Sequence, residues 1–249
     1  MIVLNNIQKI FNKGEANQVT ALNNVSLTVQ KGEYLVIVGS NGSGKTTLLN
    51  VISGAEFCTT GKVVIDETDA TRLPEYKRSQ WIARVFQNPL SGTAPDLSII
   101  DNFRLAALRT GKRKLVIGVN DAFKKLVRDK IATLGMGLEN KVEQNMGTLS
   151  GGQRQALTLL MSVMDNPQIL LLDEPTAALD PRSAKLILET ADALIKQYQL
   201  TAILITHNLK EAQQYGSRII QMSEGSITKD FSTEKKANLQ LQDLVEWFG

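Results

Sequence analysis

The stretch that most constrains this chain is Gly39-Ser40-Asn41-Gly42-Ser43-Gly44-Lys45-Thr46-Thr47. Before it stands Tyr34-Leu35-Val36-Ile37-Val38, a short apolar run rich in β-branched residues, which predicts a buried strand. After it comes Leu48-Leu49-Asn50-Val51-Ile52, which fits the first turns of a helix. A strand, a glycine-rich turn and Gly-Lys-Thr opening a helix make a phosphate-binding loop in the context the motif requires. Glycines let the backbone curl until successive N–H groups point at one anion, and the helix N-terminus adds the positive end of its dipole. Lys45 is expected to bring a full charge to the β- and γ-phosphates, and the Thr46 hydroxyl to ligate Mg²⁺.

The rest of the composition sets bounds. With 249 residues, 43% hydrophobic and 21% charged, the chain is long enough for one large domain or a domain with a subdomain. A net charge of +3 is too small to argue for nucleic acid, and a nucleotide ligand alone accounts for it. Cys58 is the only cysteine, so no intrachain disulfide can form and a reducing compartment is expected. The first residues, Met1-Ile2-Val3-Leu4-Asn5-Asn6, lack a basic segment followed by a long apolar core, so no signal peptide is expected. No apolar run approaches the roughly 20 residues that span a bilayer, so any membrane association is expected through a partner.

Along the chain, residues 2–9 and 23–29 read as strands. Residues 24–29 alternate polar and apolar, as a half-exposed antiparallel strand does. Phe11, in the connection between them, is either a stacking partner for an adenine ring or a core aromatic. Further strands are expected at 61–65 and 82–86, the latter delivering Gln87, with a short helix or turn at 74–80 between them. Residues 88–97 form a Pro/Gly/Ser loop, and a polar helical pattern runs from Ile99 to about Thr148, carrying basic clusters at Lys112-Arg113-Lys114 and Lys124-Lys125 that read as solvated faces. Leu149-Ser150-Gly151-Gly152-Gln153 opens a helix to about Met164. Ser150 and Gln153 make a capping box, yet two glycines in a first turn are costly unless bare N–H groups are wanted there. Ile169-Leu170-Leu171-Leu172 is apolar at every position and predicts a strand of a parallel sheet buried on both faces, ending in Asp173-Glu174. Acids at the carboxyl end of such a strand sit where α/β sheets bind ligands; Asp173 suits Mg²⁺ and Glu174 suits general-base activation of a water. Asp180 as N-cap and Pro181 start a helix to about Gln197. A strand at 201–206 delivers His207, the single histidine, within reach of a γ-phosphate. A strand at 217–222, a turn at Gly225 and a C-terminal helix over about 238–248 complete the reading.

The phosphate loop, Gln87, Leu149-Ser150-Gly151-Gly152-Gln153, Asp173-Glu174, Asp180 and His207, in this order, resemble the ATP-binding cassette (ABC) ATPases over about residues 2–228. The resemblance implies an α/β phosphate-loop NTPase fold: a mainly parallel central sheet, an N-terminal antiparallel β part and a helical subdomain insert. It implies a core over about 1–87 and 165–230, with the helical subdomain at about 88–164. It assigns adenine stacking to Phe11, where the family usually has Tyr, and ATP binding to residues 39–47. Ser150, Gly151, Gly152 and Gln153, with Asp180, are expected to contribute across a head-to-tail homodimer. Gln87 would sense Mg²⁺ and the attacking water, Glu174 would be the base, and His207 the γ-phosphate switch. Separate membrane permease subunits and an extracytoplasmic solute-binding protein are the expected partners, with the chain peripheral on the cytoplasmic face of the plasma membrane. Residues 93–98, 101–103, 134–140 and 153–161 also look like ATPases of bacterial importers assigned to tryptophan and tyrosine. Exporter and lipoprotein-releasing ATPases share most of these motifs. Soluble ABC proteins of translation or DNA repair typically carry tandem cassettes, coiled-coil arms or metal clusters, which are not read here.

Overall fold

The computed structural model describes residues 1–108, 118–239 and 241–245. The Lys112-Arg113-Lys114 cluster lies outside the described residues, as do Trp247 and Phe248. Two sheets divide the strands. An antiparallel sheet has the order β2-β1-β4-β5, from β1 (Ile2–Phe11), β2 (Val19–Val29), β4 (Thr60–Ile65) and β5 (Thr68–Asp69). The larger sheet has the order β10-β9-β3-β8-β7-β6. Its members are β3 (Tyr34–Val38), β6 (Ile82–Val85), β7 (Ile169–Asp173), β8 (Thr201–Ile205), β9 (Arg218–Ser223) and β10 (Ser226–Phe231). Its pairings are parallel except β9 with β10.

The alternation within these strands explains the layering. Every residue of β3, β7 and β8 is buried. Val36, Val38, Leu170, Leu172, Ala202 and Leu204 face one apolar cluster; Leu35, Ile37, Ile169, Leu171, Ile203 and Ile205 face the other. A period of 2 sends successive side chains to opposite faces. The first cluster is completed by helices α3 (Ile99–Ala107), α4 (Asp121–Ala132), α5 (Gly151–Ser162) and α6 (Pro181–Tyr198). The second is closed by α1 (Lys45–Ser53) and the antiparallel sheet, whose β2 buries Leu22, Val25, Leu27 and Val29 and exposes Asn23, Asn24 and Ser26. Helix α6 turns Ile187, Leu188, Ala191, Leu194 and Ile195 inward, the spacing of one helical face, and starts on Asp180, whose carboxylate accepts from the amides of Arg182 and Ser183.

Several expectations are refined. Phe11 is the last residue of β1, paired with Val19, and no longer in a connection. The helical pattern over 99–148 is interrupted. After α4, Gly135 and Gly137 adopt positive φ, and only a short 3₁₀ turn at Met146–Thr148 follows. Left-handed glycines stop helices by satisfying their last carbonyls. Short elements with weak patterns escaped the reading: β5, β10, α7 (Leu209–Gln214) and α8 (Thr233–Ala237). Helix α2 (Glu75–Arg78) fits the expected short turn, and of the expected C-terminal helix the described part is α9 (Leu241–Val245). Among the described residues no helix is long and apolar enough to cross a membrane.

Candidate functional site

The carboxyl ends of β3, β7 and β8 open on one side of the larger sheet, and residues 39–47 curl over them. Gly44 is the N-cap of α1 at φ 97, and a Cβ there would lie 2.5 Å from the Ala21 carbonyl oxygen. Only glycine fits both restraints. The loop lines a cleft of about 940 Å³ together with Gln87, Glu174, Ala177 and His207, and residues 19–21 of β2 close one end. Lys45 lies along the loop's inner wall, its ammonium donating to the carbonyls of Gly39 and Ser40 at 2.8 and 2.9 Å. Burial pulls the Lys45 ammonium below its ordinary value, and the nearby carboxylates of Glu174 and Asp173 push the other way. An anion in the cleft would meet this cation and the amides of the loop together.

Asp173 closes β7 beneath the loop. Its Oδ1 accepts from the Thr46 hydroxyl at 3.2 Å, and its Oδ2 pairs with Arg84 at 2.6 Å. Arg84 comes from β6, the neighbouring strand, and also donates to Asn50 Oδ1 at 2.7 Å while lying over the Phe86 ring. Glu174 turns the chain out of the strand at φ 45, a left-handed conformation that costs a non-glycine residue about 1 kcal/mol or more. Its amide donates to the Ile205 carbonyl, and its Oε2 lies 3.1 Å from His207 Nδ1. A carboxylate beside an imidazole, both facing a cationic loop, can take a proton from a water and hold a phosphoryl group. Among the described residues no cluster of three or more His, Cys, Asp or Glu side chains could hold a metal ion. The oxygens of Thr46 and Asp173 nevertheless fit Mg²⁺, which binds through few protein oxygens plus substrate phosphates.

Lys45, Thr46, Gln87, Glu174 and His207 therefore share one cleft, with Asp173 directly below. Phe11 is not among the lining residues, although its pairing partner Val19 is. The Lys9 ammonium lies 4.6 Å from the Phe11 ring centre. Ser150, Gly151, Gly152, Gln153 and Asp180 also stand outside this cleft. Ser150 Oγ accepts from the Gln153 amide and Gln153 Oε1 from the Ser150 amide, so the capping box is formed. The glycines beside it have different reasons. A Cβ on Gly152 would lie 2.9 Å from Ser183 Cβ on α6, so its smallness serves helix packing, a requirement separate from any for bare N–H groups. Gly151 is exposed, and a Cβ there would meet only Leu179 at an ordinary 3.7 Å.

Two residues with structural roles at the site had escaped the reading. Arg84 was visible as a lone charge in an apolar strand, which demands a buried counter-charge. Gln155, fully buried in α5, donates from one amide nitrogen to the carbonyls of Phe86 and Pro175 at 2.9 and 3.0 Å. It thereby ties the helix to the residue before Gln87 and to the residue after Glu174. No sequence signal separates it from the other polar residues of that helix.

A phosphate loop over a parallel sheet, with strand-end acids beneath it, defines a phosphate-loop nucleotide hydrolase. The ABC transporter family matches residues 22–177, more than half of the chain. The protein belongs to that family and is an ATP-binding cassette ATPase. It is 39% identical over 255 residues to a tyrosine transport ATP-binding protein of Clostridioides difficile, covering 100% of this chain and 98% of that one. It is also 37% identical over 241 residues to a macrolide export ATP-binding/permease protein of Campylobacter jejuni, covering 94% of this chain and 35% of that one. Among solved structures, a dimeric post-hydrolysis ATP-binding cassette bound to ADP and Pi superposes with a TM-score of 0.81 at 28% identity, covering 94% of this chain and 99% of that one.

Proposed function

We propose that this ATPase is the energising subunit of an importer for a small solute such as an aromatic amino acid. In this reading it sits peripherally on the cytoplasmic face of the plasma membrane, and its partners are separate integral-membrane permease subunits and an extracytoplasmic solute-binding protein. The similarity to the tyrosine transport relative, over 100% of this chain and 98% of that one, supports transport of an aromatic amino acid, and the resemblance of residues 93–98, 101–103, 134–140 and 153–161 to importer ATPases supports its inward direction. In the reaction, residues 39–47 hold the triphosphate, and Lys45 faces its β- and γ-phosphates. Thr46 and Asp173, with Gln87, hold Mg²⁺, which neutralises charge on the phosphates when bound. Glu174 takes the proton of the attacking water, and His207 steadies both Glu174 and the γ-phosphate. Phe11 stacks on the adenine.

The active unit in this reading is a head-to-tail dimer. Ser150, Gly151, Gly152 and Gln153 cap the γ-phosphate held by the other copy, and Asp180 lies at the junction. Gly151 supports it: among the described residues no neighbour requires a glycine there. Residues 88–164 would move as a helical subdomain against the core at 1–87 and 165–230. Lys45→Ala abolishes turnover in this account. Glu174→Gln keeps ATP binding, loses about 10²–10⁴ in rate, and shifts from monomer to dimer in sizing experiments with MgATP but not ADP. Turnover near wild type in either variant overturns the residue roles. Reconstitution with the permease, reading ATP-dependent accumulation of labelled tyrosine, tests the import reading. Outward movement instead would favour an exporter, the reading that the macrolide export relative supports.

A further inference from the structure

Glu174 and His207 sit on turns just past the ends of β7 and β8, and the His207 side chain is 59% exposed. Packing alone does not hold that ring against the carboxylate. The contacts beneath the two turns do. Thr206 immediately precedes His207, and its hydroxyl donates to Glu211 Oε2 at 2.6 Å. Thr176 stands two residues after Glu174, and its hydroxyl donates to Glu211 Oε1 at 3.1 Å. Both threonines are buried, at 2% and 9% exposure. The direction of the first bond is determined by its neighbours: Thr206 Oγ1 accepts from the Asn208 amide at 3.0 Å, so its proton is directed to the carboxylate. Asn208 in turn caps α7, accepting from the amides of Lys210 and Glu211. Glu211 is thus anchored by its own helix start while its side chain reaches two chain segments 30 residues apart in sequence, a separation read from Thr176 and Thr206. It does not line the nucleotide cleft. It lines the adjoining hollow of about 420 Å³, whose rim Glu174 and His207 share.

We propose that Glu211 is a positioning residue for hydrolysis, coupling the Glu174 turn to the His207 turn through the hydroxyls of Thr176 and Thr206. Charge-assisted hydroxyl–carboxylate bonds are short and about twice as strong as neutral ones, so one carboxylate sets the spacing of both turns. Without it, the 3.1 Å contact between Glu174 Oε2 and His207 Nδ1 loses its support from below. The phosphate loop, on β3 and α1, is untouched. The inference rests on the roles proposed for Glu174 and His207.

The test uses the full chain with MgATP. Glu211→Ala lowers kcat about 10–100-fold, the cost of displacing a reacting group by about 1 Å, while KM for ATP stays within about twofold. Because His207 is the only histidine, its imidazole NMR signals are unambiguous, and in Glu211→Ala they move towards those of Glu174→Ala. Glu211→Gln keeps an acceptor oxygen for Thr206 and recovers most of both readouts. Thr206→Val, which leaves Glu211 in place, reproduces a milder form of the loss should the alanine variant unfold. Wild-type ring signals in Glu211→Ala and Thr206→Val overturn the proposal, as does a kcat that falls only in step with the unfolding temperature. Full turnover in Glu174→Gln overturns the reading of Glu174 itself and leaves the ring signals to decide the role of Glu211.

Discussion

Arg84→Met isolates the charge balance under the phosphate loop. Arg84 and Asp173 are a nearly dry pair, with side chains 9% and 7% exposed and 2.6 Å between their closest atoms. Methionine keeps the stem and removes the guanidinium. The Asp173 carboxylate is then left with the Thr46 hydroxyl as its remaining partner among those bonds, and stranding one member of a buried pair costs about 3–5 kcal/mol. The bond to Asn50 Oδ1 is lost as well, adding about 1 kcal/mol. Against a total stability of about 5–15 kcal/mol for a folded domain, this is a large fraction. At about 2–4 °C per kcal/mol for a chain of this size, the unfolding temperature falls by about 8–24 °C. Thermal unfolding followed by circular dichroism measures the temperature shift, and urea unfolding the free energy. The double variant Arg84→Met/Asp173→Leu is the control, because replacing both charges with apolar groups removes the stranded carboxylate and regains much of the loss. A single variant that costs less than about 1 kcal/mol, or a double variant no more stable than the single, would refute the reasoning.

Gly152→Ala forces α5 and α6 apart at Ser183 and destabilises by about 1–2 kcal/mol, the overpacking cost less the gain in helix propensity. Gly151→Ala, whose Cβ meets only Leu179 at an ordinary 3.7 Å, is neutral or stabilising by up to about 1 kcal/mol in the isolated chain; equal unfolding midpoints for the two would contradict the packing. Lys236 is buried, donates to the carbonyls of Tyr215 and Gly216, and is pulled down by burial to about 8 from an ordinary 10.5. The unfolded chain therefore keeps this proton to higher pH than the fold does, so stability rises as pH climbs from about 8 to 10. Above the ordinary phenol value of 10.0, Tyr34 and Tyr215, both raised by burial, act in the opposite sense. Urea midpoints between pH 7.5 and 9.5, conditions chosen around that window, rise in the wild type and rise less in Lys236→Met; identical slopes would dismiss the assignment.

The phosphate loop and the strongly patterned elements were legible because their causes are local. Residues 34–53 state a strand, a turn only glycines can make, and a helix in continuous order. The apolar run of β7 states burial on both faces, and the Asp180-Pro181 pair states a helix start. These depend on backbone sterics, side-chain period and capping, all read within about one turn of chain. The elements without a local pattern, β5, β10, α7 and α8, were not legible. β10 and α7 hold six residues each and are stabilised by what they pack against rather than by their own pattern.

What only the tertiary structure decided is which strand ends meet. The order β3-β8-β7-β6 brings Thr46 to Asp173 across 127 residues and Arg84 to Asp173 across 89. A charge buried in a strand announces that it needs a partner but not which one, because the partner is set by sheet order. The same holds for Glu211 and Gln155, each a polar side chain on a helix until the fold sets it beneath two turns. Even the two adjacent glycines of α5 read alike in the chain. Only the approach of Ser183 makes one of them a requirement of packing and leaves the other free.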